Sequence, residues 1–234
     1  MRQSFELGAD VVCLMDDDGR PMDDCTFANA MDVIKRDTVI NRPFLLNSIV
    51  LRDDKNVTFP YMGTIRTYEE MKKLSRNLVA EGYCSPFNGT FLNRLLVDSI
   101  GYPIVEFFIK FDEIEYFQRS CKSGAYVGVI INSRYYHPAI SNYETKKVLG
   151  KTFTNNYEAP WKEYYSFRNS QYLNLRNGDP KIKVYLRYLL RIFGMYLFNI
   201  PDKKNNKDFL HAGMIDAFNG KLGKNVEPGQ KTMK

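Results

Sequence analysis

Residues 11–22 read Val-Val-Cys-Leu-Met-Asp-Asp-Asp-Gly-Arg-Pro-Met, so a short apolar run delivers three carboxylates, Asp16, Asp17 and Asp18, to one point. A bounded apolar run predicts a buried strand, and like charges stacked at its end are most readily offset by a hard divalent cation. Alternation along an extended chain turns Asp16 and Asp18 to one side and Asp17 to the other. The i, i+2 pair is therefore the expected metal and diphosphate site. The plainer reading is an acidic turn that caps the next helix through Asp23 or Asp24, since turns favour Asp and Gly.

Two chemistries end an apolar strand in this way. A phosphohydrolase of the haloacid dehalogenase type uses Asp-x-Asp-Gly to supply an aspartyl nucleophile. A sugar-nucleotide glycosyltransferase uses Asp-x-Asp to hold Mn2+ or Mg2+ against a leaving diphosphate. The dehalogenase pattern wants Thr or Val where Arg20 stands. A second acidic focus, Asp112, Glu113 and Glu115, follows the aromatic run Phe107 to Phe111. An inverting transferase must deprotonate its acceptor hydroxyl, and a carboxylate within reach is the usual base. His137, one of two histidines, follows the strand-like run 125–131; taken alone, such a residue is more often core or surface than a ligand.

The elements that must position these groups alternate. Residues 26–36 predict a helix, 45–51 a strand, and 67–81 a helix with Glu69 and Lys73 paired at i, i+4. Thr90 to Ser99 is amphipathic and closes at Gly101 and Pro103, as a helix should. Runs 105–111 and 125–131 predict strands. Strands alternating with helices give an α/β class.

Taken in order, these segments resemble the family 2 glycosyltransferases of bacterial polysaccharide synthesis, in the galactofuranosyl- and rhamnosyltransferase branch. The resemblance rests on residues 8–21, Ser-Pro-Phe-Asn-Gly-Thr-Phe (85–91), Ile-Gly-Tyr-Pro (100–103), Phe-Ile-Lys-Phe-Asp-Glu-Ile-Glu-Tyr (108–116) with Arg119, and His137. It continues through Trp161, Tyr-Tyr-Ser-Phe-Arg-Asn (164–169) and residues 211–223. It implies a GT-A-like fold, a mixed, mainly parallel sheet flanked by helices with the metal at the carboxyl ends of strands. It implies that Asp16 and Asp18 bind Mn2+ or Mg2+ and that His137 completes the ligands. Glu113 becomes the base, with Asp112 as the neighbouring candidate, because that branch carries Asp where Glu113 stands. Glu115 would orient the acceptor or a neighbouring side chain. The implied donors are UDP-galactofuranose or dTDP-rhamnose, and the acceptor a lipid-linked glycan or polysaccharide of a capsule, O-antigen or cell wall.

Only ten residues precede residue 11, where the family places a nucleotide-reading β-α-β segment, so the chain reads as N-terminally truncated. A catalytically idle fragment that only binds a partner is the reading from a different class. The expected domains are 1–150, the metal and acceptor half, and 151–234, a helical basic region. Residues 1–150 hold 18 Lys and Arg against 20 Asp and Glu, and residues 151–234 hold 15 against 7. Within 181–199, Lys183, Arg187 and Arg191 recur every four residues on one stripe. That stripe suits peripheral contact with an anionic membrane surface; a core helix with one solvated basic edge explains it equally. No nucleic-acid module accompanies the charge, so nucleic acid is not expected as a partner. A homo-oligomer is open.

Further binding candidates each carry a plainer alternative. Phe87, Asn88 and Gly89 could lie against the donor sugar, although Asn-Gly is also the commonest turn dipeptide. Trp161 and Tyr165 could form an acceptor platform, or pack in a core. Arg168 braces the site or a subunit contact, and Asp17 completes the donor and acceptor set. Cys13, Cys25, Cys84 and Cys121 show no Cys-x-x-Cys spacing and no secretion signal precedes them. A reduced, cytoplasmic setting is expected, peripheral at the inner face of the plasma membrane if the basic helix engages it.

Overall fold

A computed structural model describes residues 1–138, 143–148, 151–156 and 158–233. The chain divides into two compact units, Met1–Pro103 with Glu113–Ile140, and Ile104–Asp112 with Ser141–Lys234. The expected boundary at residue 150 lies outside the described residues.

The first unit runs α1 (Arg2–Glu6), β1 (Val11–Leu14), β2 (Arg20–Pro21), α2 (Thr26–Ile34), α3 (Asp37–Ile40), β3 (Phe44–Leu51), β4 (Asn56–Tyr61) and β5 (Ile65–Thr67). It continues with α4 (Tyr68–Leu74), β6 (Val79–Glu81), β7 (Thr90–Asn93), α5 (Arg94–Ile100), α6 (Asp112–Lys122) and β8 (Tyr126–Tyr136). Strand β3 is the axis of its sheet, and all eight of its residues are buried. Side chains alternate across a strand. Phe44 and Leu46 therefore pack with Ala30, Val33 and Ile34 of α2, while Leu45 turns to the opposite face, against Leu96, Val97 and Tyr116 of α5 and α6. A strand covered on both faces reads as a continuous apolar run, which is why its sequence signal is strong.

The sheet is mixed and flanked by helices, but it is not mainly parallel. Among the described strands, β3 and β8 pair parallel. The pairs β1–β7, β3–β7, β3–β4, β4–β5, β2–β8 and β6–β8 are antiparallel. Register between β3 and β8 slips between Ser48 and Ile49, so Ile130 and Arg134 face consecutive partners. The bulged residues are held by Ser48 and Ser133 hydroxyls 2.7 Å apart and by Ser133 Oγ donating to the Thr26 carbonyl at 2.8 Å. Bulges bend a strand and re-aim its continuation. Here the bend brings Arg134–Tyr136 alongside both β3 and β2.

Three expected elements differ, each for a tertiary reason. The helix predicted over 67–81 ends at Leu74, because Asn77 and Leu78 adopt left-handed backbone and Val79 and Ala80 are taken as edge partners of β8. Its start is a capping box between Thr67 and Glu70. The helix predicted over 90–99 begins as β7, which pairs with β1 and β3; Asn93 then caps α5, its Oδ1 accepting from the Leu96 amide at 3.1 Å. Residues 105–111 form no strand but a 3-10 turn, Val105–Phe107, and a loop with Phe108, Lys110 and Phe111 at positive φ.

In the second unit, β9 (Tyr143–Val148) and β10 (Lys151–Asn156) form an antiparallel hairpin, followed by α7 (Pro160–Arg176), α8 (Lys181–Leu197) and α9 (Lys203–Phe218). A Cβ at Gly213 of α9 would stand 2.9 Å from the Tyr164 carbonyl, so glycine lets α7 and α9 approach closely. The loop of residues 106–110 is gripped from α7. Asn169 Nδ2 donates to the carbonyls of Phe107, Ile109 and Lys110 at 2.8–3.0 Å, and Arg168 donates to those of Glu106, Phe107 and Gly223. Left-handed non-glycine residues are strained and persist only where the surroundings over-determine them. Replacing Asn169, which is fully buried, by Ala should cost about 2–3 kcal/mol through orphaned carbonyls. Urea denaturation would measure it, and a loss under about 0.5 kcal/mol, the usual range for surface changes, would show that the grip is dispensable.

Candidate functional site

Strand β1 ends at Leu14, and Asp16 to Gly19 form a turn closed by the Gly19 amide donating to the Asp16 carbonyl at 3.3 Å. Turn geometry, not strand alternation, therefore sets where the carboxylates point. The turn leads into β2, whose Arg20 and Pro21 pair with Tyr136 and Tyr135, and His137 follows directly. Asp16, Asp18 and His137 are thereby assembled, with ligand-capable atoms all within 4.8 Å of one another. His137 Nε2 lies 3.1 Å from Asp18 Oδ1 and 3.8 Å from Asp16 Oδ2. Asp17 is exposed and outside this group. Asp23 Oδ1 accepts from the Cys25 amide and the Thr26 hydroxyl just ahead of α2, but no side chain caps the amides of that helix's first turn.

The donor set fits a divalent cation. Carboxylate oxygens and an imidazole nitrogen suit Mn2+ and Mg2+-class ions. His137 Nδ1 lies 2.8 Å from the Pro138 carbonyl. A carbonyl can only accept, so a metal bound at Nε2 would leave the ring proton on Nδ1 facing Pro138, the arrangement typical of metal-binding histidines. Phe59 covers the ring at 4.9 Å between centroids, and Thr58 Oγ1 donates to the His137 carbonyl at 2.8 Å.

Tyr135 lies beneath the turn. Its hydroxyl donates to the Asp16 carbonyl at 3.5 Å. Burial first, then the nearby Asp16 carboxylate, pushes its phenol up to about 12, so it stays a donor. A Cβ on Gly19 would overlap this ring, and one on Gly89, at φ +63°, would stand 2.8 Å from it. Both glycines are thus required by one tyrosine, which explains Gly89 without a sugar.

Beside this group is a cavity of about 460 Å3, walled by Phe59 to Gly63 of the β4–β5 hairpin, by Tyr83 to Pro86 with Asn88, and by Glu113, Ile114, Phe117 and Gln118 of α6. Phe59 belongs to both the cavity wall and the His137 contact. Asn88 is 7% exposed, its Nδ2 donates to the Pro86 carbonyl, and its Oδ1 has no partner. A buried acceptor left unpaired at the wall of a cavity is open to a donor from a water or a ligand. Nothing in the sequence pattern marks Phe59, Tyr83 or Phe117; an aromatic run before a Met-Gly turn was the one available hint.

The remaining candidates have other surroundings. Asp112 opens α6 and is partly buried. Glu115 is fully buried and grips Arg119, Oε2 to Nη2 at 2.7 Å, and Arg119 in turn donates to the carbonyls of Ile100 and Tyr102. A carboxylate so enclosed orients a neighbouring side chain and cannot touch an acceptor. Phe87, at φ +72°, packs 6.1 Å from Tyr116. Trp161, Tyr165 and Arg168 belong to the second unit. Arg168 and Tyr165 are fully buried there, the Tyr165 hydroxyl donating to the Val226 carbonyl at 2.7 Å, so both pack in the core of that unit. Trp161 lines a separate cavity of about 280 Å3 with Asp202, Asn205 and Gln230.

No family model matches the chain. It is 28% identical over 190 residues to galactofuranosyltransferase GlfT1 of Mycolicibacterium smegmatis, covering 78% of this chain and 62% of that protein. It is 27% identical over 187 residues to galactofuranosyltransferase GlfT1 of Mycobacterium tuberculosis, covering 78% and 60%. The chain thus spans about three fifths of the length of these relatives. The similarity supports a glycosyltransferase role.

Proposed function

We propose that this chain carries the metal and acceptor sites of an inverting glycosyltransferase that moves a sugar from a nucleotide diphosphate to a glycan acceptor. The reading rests on one observation: His137 sits with Asp16 and Asp18 on one side and, through Phe59, against the cavity edged by Glu113 on the other. Asp16, Asp18 and His137 would hold Mn2+ or Mg2+, which when bound neutralises charge gathering on the departing diphosphate. The acceptor hydroxyl oxygen attacks the anomeric carbon, the bond from that carbon to the diphosphate oxygen breaks, and Glu113 takes the hydroxyl proton. The cavity is assigned to the acceptor, whose apolar ring face suits Phe117 and Tyr83 and whose hydroxyl or amide can donate to Asn88 Oδ1. Galactofuranose is the favoured donor sugar because the relatives are named for it.

Calorimetric titration with UDP and with dTDP, each with and without Mn2+, tests this. UDP binding that requires Mn2+ is expected. A preference for dTDP would move the donor to rhamnose, and nucleotide binding indifferent to metal would remove the role given to the aspartates.

A further inference from the structure

Helix α8 has two apolar faces. Val184, Tyr188 and Met195 are buried with Phe167, Leu210 and Met214 in the core of the second unit. On the other side Ile182, Leu186, Leu190, Phe193 and Tyr196 are between 52% and 68% exposed, with Tyr185 and Leu189 beside them. At 100° per residue these seven side chains form one stripe, roughly 20 Å long at 1.5 Å per residue. A contiguous exposed apolar surface of this kind marks an interaction site. The basic stripe expected to meet lipid is otherwise engaged: Lys183 and Arg187 pair with Asp179 at 3.1 and 2.6 Å, and Arg191 pairs with Glu163 at 2.6 Å.

We propose that the outward face of α8 docks this protein onto an anionic bilayer by laying Leu186, Leu190 and Phe193 into the boundary between headgroups and acyl chains. Tyrosines toward both ends of an aliphatic and aromatic centre suit that boundary, where their rings bury and their hydroxyls stay wet. No helix among the described residues is long and apolar enough to cross a membrane, so the helix lies on the surface instead of spanning it. Charge decides between a bilayer and a second copy. Residues 151–234 hold 15 Lys and Arg against 7 Asp and Glu. Two copies of this basic region brought together would repel within the Debye length of about 8–10 Å, whereas an anionic leaflet attracts it. The apolar stripe then holds what charge delivers, so attachment should outlast screening.

The test is sedimentation of the full chain with extruded vesicles of phosphatidylcholine alone or mixed with phosphatidylglycerol. The chain is expected to partition onto the mixed vesicles and to remain there when salt is raised to about 1 M, where charges are screened beyond about 3 Å. Leu190→Glu combined with Phe193→Glu should lower partitioning at least 10-fold with the thermal midpoint unchanged, both positions being exposed. Should that pair fail to fold, Leu190→Ser with Phe193→Ser should still lower it several-fold. Partitioning that these variants leave intact, that salt abolishes, or that never occurs overturns the proposal. Sedimentation velocity showing a dimer that the same variants dissociate, without vesicle binding, would assign the face to a second copy.

Discussion

Asp18→Ala is expected to weaken Mn2+ binding by at least about 100-fold, because losing a ligand should cost more than the 10–100-fold typical of losing an outer partner. Titration followed by the paramagnetic signal of free Mn2+ measures this without any substrate, and so separates the metal site from the transfer reaction. Asp16→Ala should behave alike, and His137→Ala should too. Asp17→Ala is the control: it is exposed, one residue away, and outside the group whose atoms lie within 4.8 Å, so its affinity should stay within a few-fold. If Asp17→Ala did the damage and Asp18→Ala did not, the turn would be oriented differently with metal bound and the ligand set would have to be redrawn.

The second large effect belongs to Glu113. Glu113→Gln keeps the size and hydrogen-bonding reach of the side chain but cannot take a proton, so transfer should fall about 10²–10⁴-fold, the span expected of a general base. Mn2+ affinity and the KM for acceptor should change little, which distinguishes a chemical role from a binding one. Glu113→Asp introduces the residue usual in the resembled branch and should keep part of the activity, limited by a carboxylate drawn back by one methylene. Near-normal turnover in Glu113→Gln together with a dead Asp112→Asn would transfer the base to Asp112, its neighbour in the first turn of α6.

The acidic group was legible because its three carboxylates are adjacent in the chain. An apolar run ending in Asp16, Asp17 and Asp18 is a local pattern, and three carboxylates on one turn require an explanation wherever the chain goes. The strand that carries them and the doubly covered β3 and β8 were legible for a related reason, since burial on both faces leaves a continuous apolar run. The amphipathic signal of 90–99 misled. Its first four residues are buried on both sides because β7 lies between β1 and β3, and only pairing with distant strands reveals that. The aromatic run at 105–111 misled in the same way: its backbone is bent by hydrogen bonds to Asn169 and Arg168, some 60 residues on.

Side-chain roles divide along the same line. Arg168, Tyr165 and Glu115 belong to motifs that resemble a binding site, yet each is buried, with its polar atoms joined to backbone or to a neighbour. A sequence names a functional group and cannot say whether that group faces solvent. For the same reason Lys183, Arg187 and Arg191 read as a free basic stripe until Asp179 is placed beside the first two and Glu163 beside the third. By itself the sequence determined the α/β class, the acidic turn of Asp16 to Asp18, the helical basic stretch within 181–199 and the resemblance to glycosyltransferases, because periodicity, charge and short motifs are properties of neighbouring residues. The tertiary structure brings His137 to the aspartates, as the resemblance implied, and it alone decided that Phe59, Asn88 and Glu113 wall one cavity and that α8 shows apolar side chains to solvent. Those facts depend on a bulge in β8, on pairing across more than 100 residues, and on which side of each element is covered.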